Sequence, residues 1–205
     1  MEKKSLIDYK LLMVLGLFTL FLSSCKPGSN SNGENGNSGF GGPGAPPTDG
    51  SVTDLKLSCE EARFVYLLNI YRTQNGRNAL NVSKNAVISS RWHGQDMINK
   101  NYFDHTEPSG RTFSQRAAAY GYYAWAENIA GGNTDAAGTF CQWKNSSGHN
   151  QNMLGSHESL GIGRAIGGNY GAYWPNNFGP AAADYLQLPL TIETNCTMPT
   201  TLPGC

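Results

Sequence analysis

Ser58-Cys59-Glu60-Glu61-Ala62-Arg63-Phe64-Val65-Tyr66-Leu67-Leu68-Asn69-Ile70-Tyr71-Arg72 is the stretch where this chain turns from tail into fold. Ser58 stands three residues before Glu61. That is capping-box spacing, in which hydroxyl and carboxylate each accept a backbone N–H that the first helical turn leaves orphaned. Phe64, Leu67, Leu68 and Tyr71 recur at helical spacing and give one apolar face, and Gly76 ends the helix. Ser83 caps a second helix reaching about Asn101, with Ala86, Val87, Ser90, Gly94, Met97 and Ile98 as a buried stripe of small and apolar residues. Pro108, Ser109 and Gly110 break the chain. Thr112 opens a short third helix through Phe113, Arg116, Ala117 and Tyr120. A fourth covers Thr134 to Lys144, with Ala137, Phe140 and Cys141 facing inward. After His149 the pattern changes. Leu160-Gly161-Ile162-Gly163-Arg164 and Gly171–Phe178 read as two strands of one antiparallel hairpin around a Gly-Gly-Asn loop. Helices first and strands late predict an α+β layered domain over residues 58–187. The Pro-rich end, 188–205, is expected to wrap its surface.

Upstream of Ser58, residues 26–57 read as a linker. Ser29–Gly50 is built from Ser, Asn, Gly and Pro, with Phe40 its only large apolar group. Such a stretch cannot bury enough surface to offset the entropy of ordering. As a coil it would span roughly 30 Å. Before it, Lys3, Lys4 and Lys10 flank the apolar run Leu11–Leu22, which has the length of a signal-peptide core and is short for a membrane span. The run closes in Leu22-Ser23-Ser24-Cys25, which resembles the lipobox of bacterial lipoproteins. That resemblance implies a signal peptide over 1–24, lipidation of Cys25, and a domain tethered to the membrane of a bacterial envelope, facing outward. The chain has five cysteines. With Cys25 lipidated, Cys59, Cys141, Cys196 and Cys205 remain, an even number that fits two disulfides in an oxidising compartment. Three pairings are possible. The short Cys196–Cys205 loop, with Cys59–Cys141 bridging the body, is the expected one.

Lys plus Arg number 15 and Asp plus Glu number 15, so formal net charge is zero. No basic stripe suggests nucleic acid. The chemistry is therefore sought among the histidines. His105 follows Tyr102-Phe103-Asp104, and His149 follows Trp143-Lys144-Asn145-Ser146-Ser147-Gly148. Between them, Ala126-Glu127-Asn128-Ile129-Ala130 places one carboxylate in apolar surroundings, where it needs a partner. His93 lies inside the second helix and is expected to make a core or capping hydrogen bond. His157 reads as an exposed loop residue, and Arg111 and Arg116 as surface or loop-pinning groups. Ser146 and Ser147 near His149 lack the strand–turn–helix setting of a nucleophile and read as capping or turn residues.

Taken in order, these segments resemble the CAP superfamily (cysteine-rich secretory proteins, antigen 5 and pathogenesis-related 1 proteins), also called SCP-like domains, in its bacterial branch. Leu68-Asn69-Ile70-Tyr71-Arg72, Trp92-His93-Gly94-Gln95-Asp96-Met97, Phe103-Asp104-His105, Glu127-Asn128-Ile129-Ala130, Trp143 through His149, Gly161-Ile162-Gly163 and Tyr173-Trp174 through Gly179 carry the resemblance. It implies an α-β-α sandwich with an antiparallel sheet, and a cleft in which His105, Glu127 and His149 converge. The family's second acidic residue, between the tryptophan and the second histidine, is missing here unless Glu107 or Glu158 reaches in. Two imidazoles and a carboxylate are a reasonable ligand set for a divalent metal such as Zn²⁺. The expected function is an extracytoplasmic binding module for a metal ion, a lipid or apolar ligand, or a surface protein. The alternative is a peptidase-like hydrolase using His105, His149 and Glu127, with or without metal.

Overall fold

The computed structural model describes residues 55–186, 192–193 and 195–205. The expected signal segment, Cys25 and the linker through 54 lie outside the described residues.

The elements run α1 (Cys59–Gln74), β1 (Asn81–Val82), α2 (Lys84–Lys100), α3 (Phe113–Ala119), β2 (Ala126–Gly131), α4 (Ala136–Lys144), α5 (Ser147–Met153), β3 (Ser159–Ile162), β4 (Ala165–Ile166) and β5 (Ala172–Gly179). The sheet order is β1-β3-β5-β2, with β4 beside β5. Strands β1 and β3 run parallel; β5 is antiparallel to β2, β3 and β4. The Ser58–Glu61 capping box forms and Ser83 caps α2, as the sequence predicts, and Thr112, which opens α3, forms a second capping box with Gln115.

Strand alternation sorts the side chains into two layers. On one face Leu160, Ile162, Trp174 and Phe178 join Phe64 and Leu68 of α1 and Phe140 and Trp143 of α4 in the main core. Phe64 meets Trp143 edge to face, ring centroids 5.0 Å apart. Burial of each such side chain contributes roughly 1.5–3 kcal/mol. On the other face α2 lies directly on β3. A Cβ at Gly161 would stand 2.2 Å from Ala86, and one at Gly163 would stand 2.3 Å from the Arg91 nitrogen. The Gly-Ile-Gly run thus lets a helix backbone approach the strand, and Ser90 seals the contact by donating to the Gly161 carbonyl at 2.7 Å. With α3 against α2, and α5 against α4 and β2, the result is the expected α-β-α sandwich.

The disulfides pair differently from expectation. They are Cys59–Cys196 and Cys141–Cys205. The cause is the path of the tail. Ile192 forms a parallel bridge with Leu57, and Arg63 donates to the Thr197 carbonyl at 3.0 Å, which brings Cys196 beside the start of α1. The tail then runs to α4, where Lys144 reaches the Cys205 carbonyl. Each bridge closes a long loop instead of a short local one. Ala136, not Ala137, is the inward residue of the first turn of α4.

Candidate functional site

Glu127 is the second residue of β2, and its side chain is wholly buried on the α2 side of the sheet. Two groups meet it. His105 Nδ1 lies 2.9 Å from Oε1, and Arg116 Nη2 donates to Oε2 at 2.5 Å. Arg116 is itself 0% exposed, on the inner face of α3. This is the partner a carboxylate in apolar surroundings requires, and it makes Arg116 a buried counter-ion instead of a surface residue. Its signal was present in the spacing, since Phe113, Arg116, Ala117 and Tyr120 share one helical face.

Arg116 Nη1 lies 3.5 Å from Glu107 Oε1, and Arg111 Nε donates to the same oxygen at 2.8 Å. Glu107 is buried. A second acidic residue, absent from the stretch between the tryptophan and the second histidine, therefore stands in the cluster from elsewhere, linked to Glu127 through Arg116. Glu158 does not join them; it is exposed and lines a separate polar pocket with Arg72 and Arg77.

His93 is 0% exposed and supports the cluster from α2. Its Nε2 lies 3.1 Å from the Asp104 carbonyl, which fixes the backbone one residue before His105. The same nitrogen is 4.0 Å from Glu127 Oε1. Burial, and then the Arg116 charge, hold its pKa well below the ordinary imidazole value, so it is neutral and donates that N–H. The His105 ring is 47% exposed at its side chain. With Nδ1 turned to Glu127, its Nε2 is left as the acceptor or ligand atom.

His149 arrives on α5, whose residues have weak helix propensity and are held by tertiary contacts. Asn128 donates to the His149 carbonyl at 3.1 Å, Tyr71 donates to Asn150 at 3.0 Å, and Arg72 donates to the Met153 carbonyl at 2.6 Å. The His149 ring packs against Trp143, and its buried Nδ1 has no hydrogen-bond partner among the described residues. Its pKa is lowered by burial and then by the neighbouring His105 charge. No hydrogen bond joins it to His105 or Glu127 among the described residues. His157 is not the exposed loop residue expected; its ring stacks on Phe178 at 5.1 Å.

Among the described residues, no group of three His, Cys, Asp or Glu side chains stands ready to hold a metal ion. Both Glu127 oxygens already accept hydrogen bonds, so in this arrangement the carboxylate orients His105 as an outer partner orients a ligand. Were a borderline-soft cation such as zinc held here, the imidazoles of His105 and His149 would be its nitrogen donors. Elsewhere, an apolar groove of about 480 Å³ runs between α1 and β1, walled by Val65, Tyr66, Ile70, Leu80 and Val82. It includes none of the cluster residues.

Known proteins resemble this chain in sequence and fold. The sequence model of the cysteine-rich secretory protein family, CAP, matches residues 65–178. An uncharacterised protein of Bacillus subtilis, YkwD, is 32% identical over 125 residues, which is 60% of this chain and 48% of that protein. The chain thus spans about half the length of the curated relative it matches. A crystal structure of an extracellular protein containing an SCP domain from Bacillus anthracis aligns with TM-score 0.52 at 26% identity, covering 58% of this chain and 40% of that one. An outer surface protein from Borrelia burgdorferi aligns with TM-score 0.54 at 18% identity, covering 63% of this chain and 99% of that one, and bears on the fold alone.

Proposed function

The chain belongs to the cysteine-rich secretory protein (CAP) family, and on that premise we propose that it is an extracytoplasmic binding module, tethered at the cell envelope through Cys25, that takes its ligand at His105. The carrying observation is the double engagement of Glu127, by His105 on one oxygen and Arg116 on the other. A carboxylate so engaged is poorly placed to accept a substrate proton, but well placed to fix the imidazole tautomer and aim Nε2 outward. The hydrolase alternative has no such support. Among the described residues no hydroxyl or thiol is hydrogen-bonded to the His105 or His149 ring, so no side-chain nucleophile is activated there. The outward-facing location is supported by two disulfides and by the similar SCP-domain protein of Bacillus anthracis, described as extracellular. The anchor rests on the Leu-Ser-Ser-Cys sequence.

A zinc titration of the full chain tests the reading. The expected result is one site lost in His105→Ala and His149→Ala, and weakened about 10- to 100-fold in Glu127→Gln. Peptide or ester turnover that disappears in a folded His149→Ala variant would replace the binding module with the hydrolase.

A further inference from the structure

We propose that the cleft continues into an open aromatic platform, Phe103 and Tyr170 set over Tyr173, that binds a neutral oligosaccharide. The proposal rests on the binding-module reading and names the ligand class of that same site. Tyr173 is buried and forms the floor; Phe103 is 37% exposed and Tyr170 49%. Tyr170 meets Tyr173 nearly perpendicular at 5.5 Å, and Phe103 lies 5.1 Å from Tyr170 and 6.1 Å from Tyr173. Half-exposed rings held by one another and by a buried third ring form a fixed surface, with little rotamer freedom left to lose on binding.

Two observations join this surface to the cleft. The Tyr170 ring lies where a Cβ at Gly131 would point, 3.0 Å away. Gly131 and Glu127 are four residues apart on β2, so by strand alternation they present the same face, about 13 Å apart. Phe103 stands two residues before His105, and the Asp104 carbonyl between them is pinned by His93. The polar end and the aromatic end therefore lie on one side of β2, with the buried Ile129 between them, and the short segment from Phe103 to His105 links them at the surface.

The chemistry selects the ligand. Binding sites for apolar small molecules bury most of the ligand surface. This platform covers one side only, and beside it stand two exposed amides, Asn169 donating to Asn101 at 2.6 Å. Their mutual bond uses one N–H and one oxygen, which leaves hydrogen-bonding capacity for hydroxyl groups. A pyranose has an axial C–H face for the aromatic rings and hydroxyls at its edge for the amides. Among the described residues no Lys or Arg stacks on these three rings.

Isothermal titration of the full chain with chitotetraose, cellotetraose and mannotetraose, with heparin oligosaccharide and oleate as comparisons, tests the proposal. At least one neutral tetrasaccharide should bind. Phe103→Ala and Tyr170→Ala should each weaken it about tenfold or more with the native fold retained, as read by circular dichroism. Gly131→Ala should weaken it in the same direction by displacing the Tyr170 ring. Failure of all three sugars at millimolar concentration, preference for heparin or oleate, or ring variants that bind sugar like the wild type would overturn it. If the ring variants lose sugar while His105→Ala changes neither zinc nor sugar binding, the platform stands and the His105 reading falls. If His105→Ala abolishes zinc binding while the ring variants keep their sugar, the reverse holds.

Discussion

Glu127 and Asn128 are neighbours in β2, yet they face different worlds. Glu127 points to the α2 side and is held by charge, with Arg116, His105 and, through Arg116, Glu107 and Arg111 around it. Asn128 points to the α5 side and is held by neutral amides and carbonyls, donating to the His149 carbonyl and accepting from Asn152 at 2.9 Å. The charged side fixes a side chain, the His105 imidazole. The neutral side fixes a backbone, the short helix that delivers His149. One strand thus positions both histidines by two kinds of interaction, and the two should respond differently to perturbation.

The largest effect is expected from breaking the charged side. Glu127→Ala leaves the buried Arg116 guanidinium with only its longer 3.5 Å contact to Glu107, so urea denaturation should show a loss of about 3–5 kcal/mol. A loss under about 1 kcal/mol would mean that the pair is not desolvated. Asn128→Ala should cost less, about 1–3 kcal/mol, because it orphans a neutral carbonyl and amide. Hydrogen exchange should show α5 opening more readily while α3 stays protected. A third effect is pH dependence. His93 on the charged side has its pKa lowered by burial, and His149 on the neutral side is lowered in the same direction. In both cases the unfolded chain binds the proton more readily. Their contribution to stability is therefore fully present above the unfolded imidazole value of about 6.5 and is lost as pH falls below it. Melting temperature followed from about pH 8 to about pH 5 should fall, with a shallower decline in His93→Gln. The smallest effect is expected from Asn176, which pairs with Asn128 in register. Its amide is wholly buried and unpartnered among the described residues. Asn176→Leu should change stability by less than about 1 kcal/mol, because removing an unpaired polar group offsets the imperfect fit.

The charged side was partly legible in the sequence and the neutral side hardly at all. Glu127 announced its need for a partner, and helical spacing put Arg116 on the inner face of α3, yet a lone arginine among alanines reads as surface. The capped helices α1, α2 and α3 were legible because their caps and apolar faces are local signals. Strand β2 was not, since Ala126-Glu127-Asn128-Ile129-Ala130-Gly131 has little strand propensity and is a strand because β5 pairs with it along its whole length. Helix α5 was missed for the same reason. Ser147, Gly148 and four amides or imidazoles in a row favour a turn, and distant contacts from Tyr71, Arg72 and Asn128 override them. The disulfide pairing was illegible because it depends on where the tail crosses α1 and α4.

Glu127 is the group that orients His105, and the tautomer of that imidazole reports it. A long-range proton–nitrogen correlation spectrum of the full chain at about pH 8 reads each tautomer directly. The expected result is His105 protonated at Nδ1 with Nε2 free, changing to a mixture of tautomers in Glu127→Gln. A His105 ring protonated at Nε2 in the wild type, or one indifferent to the substitution, would contradict it.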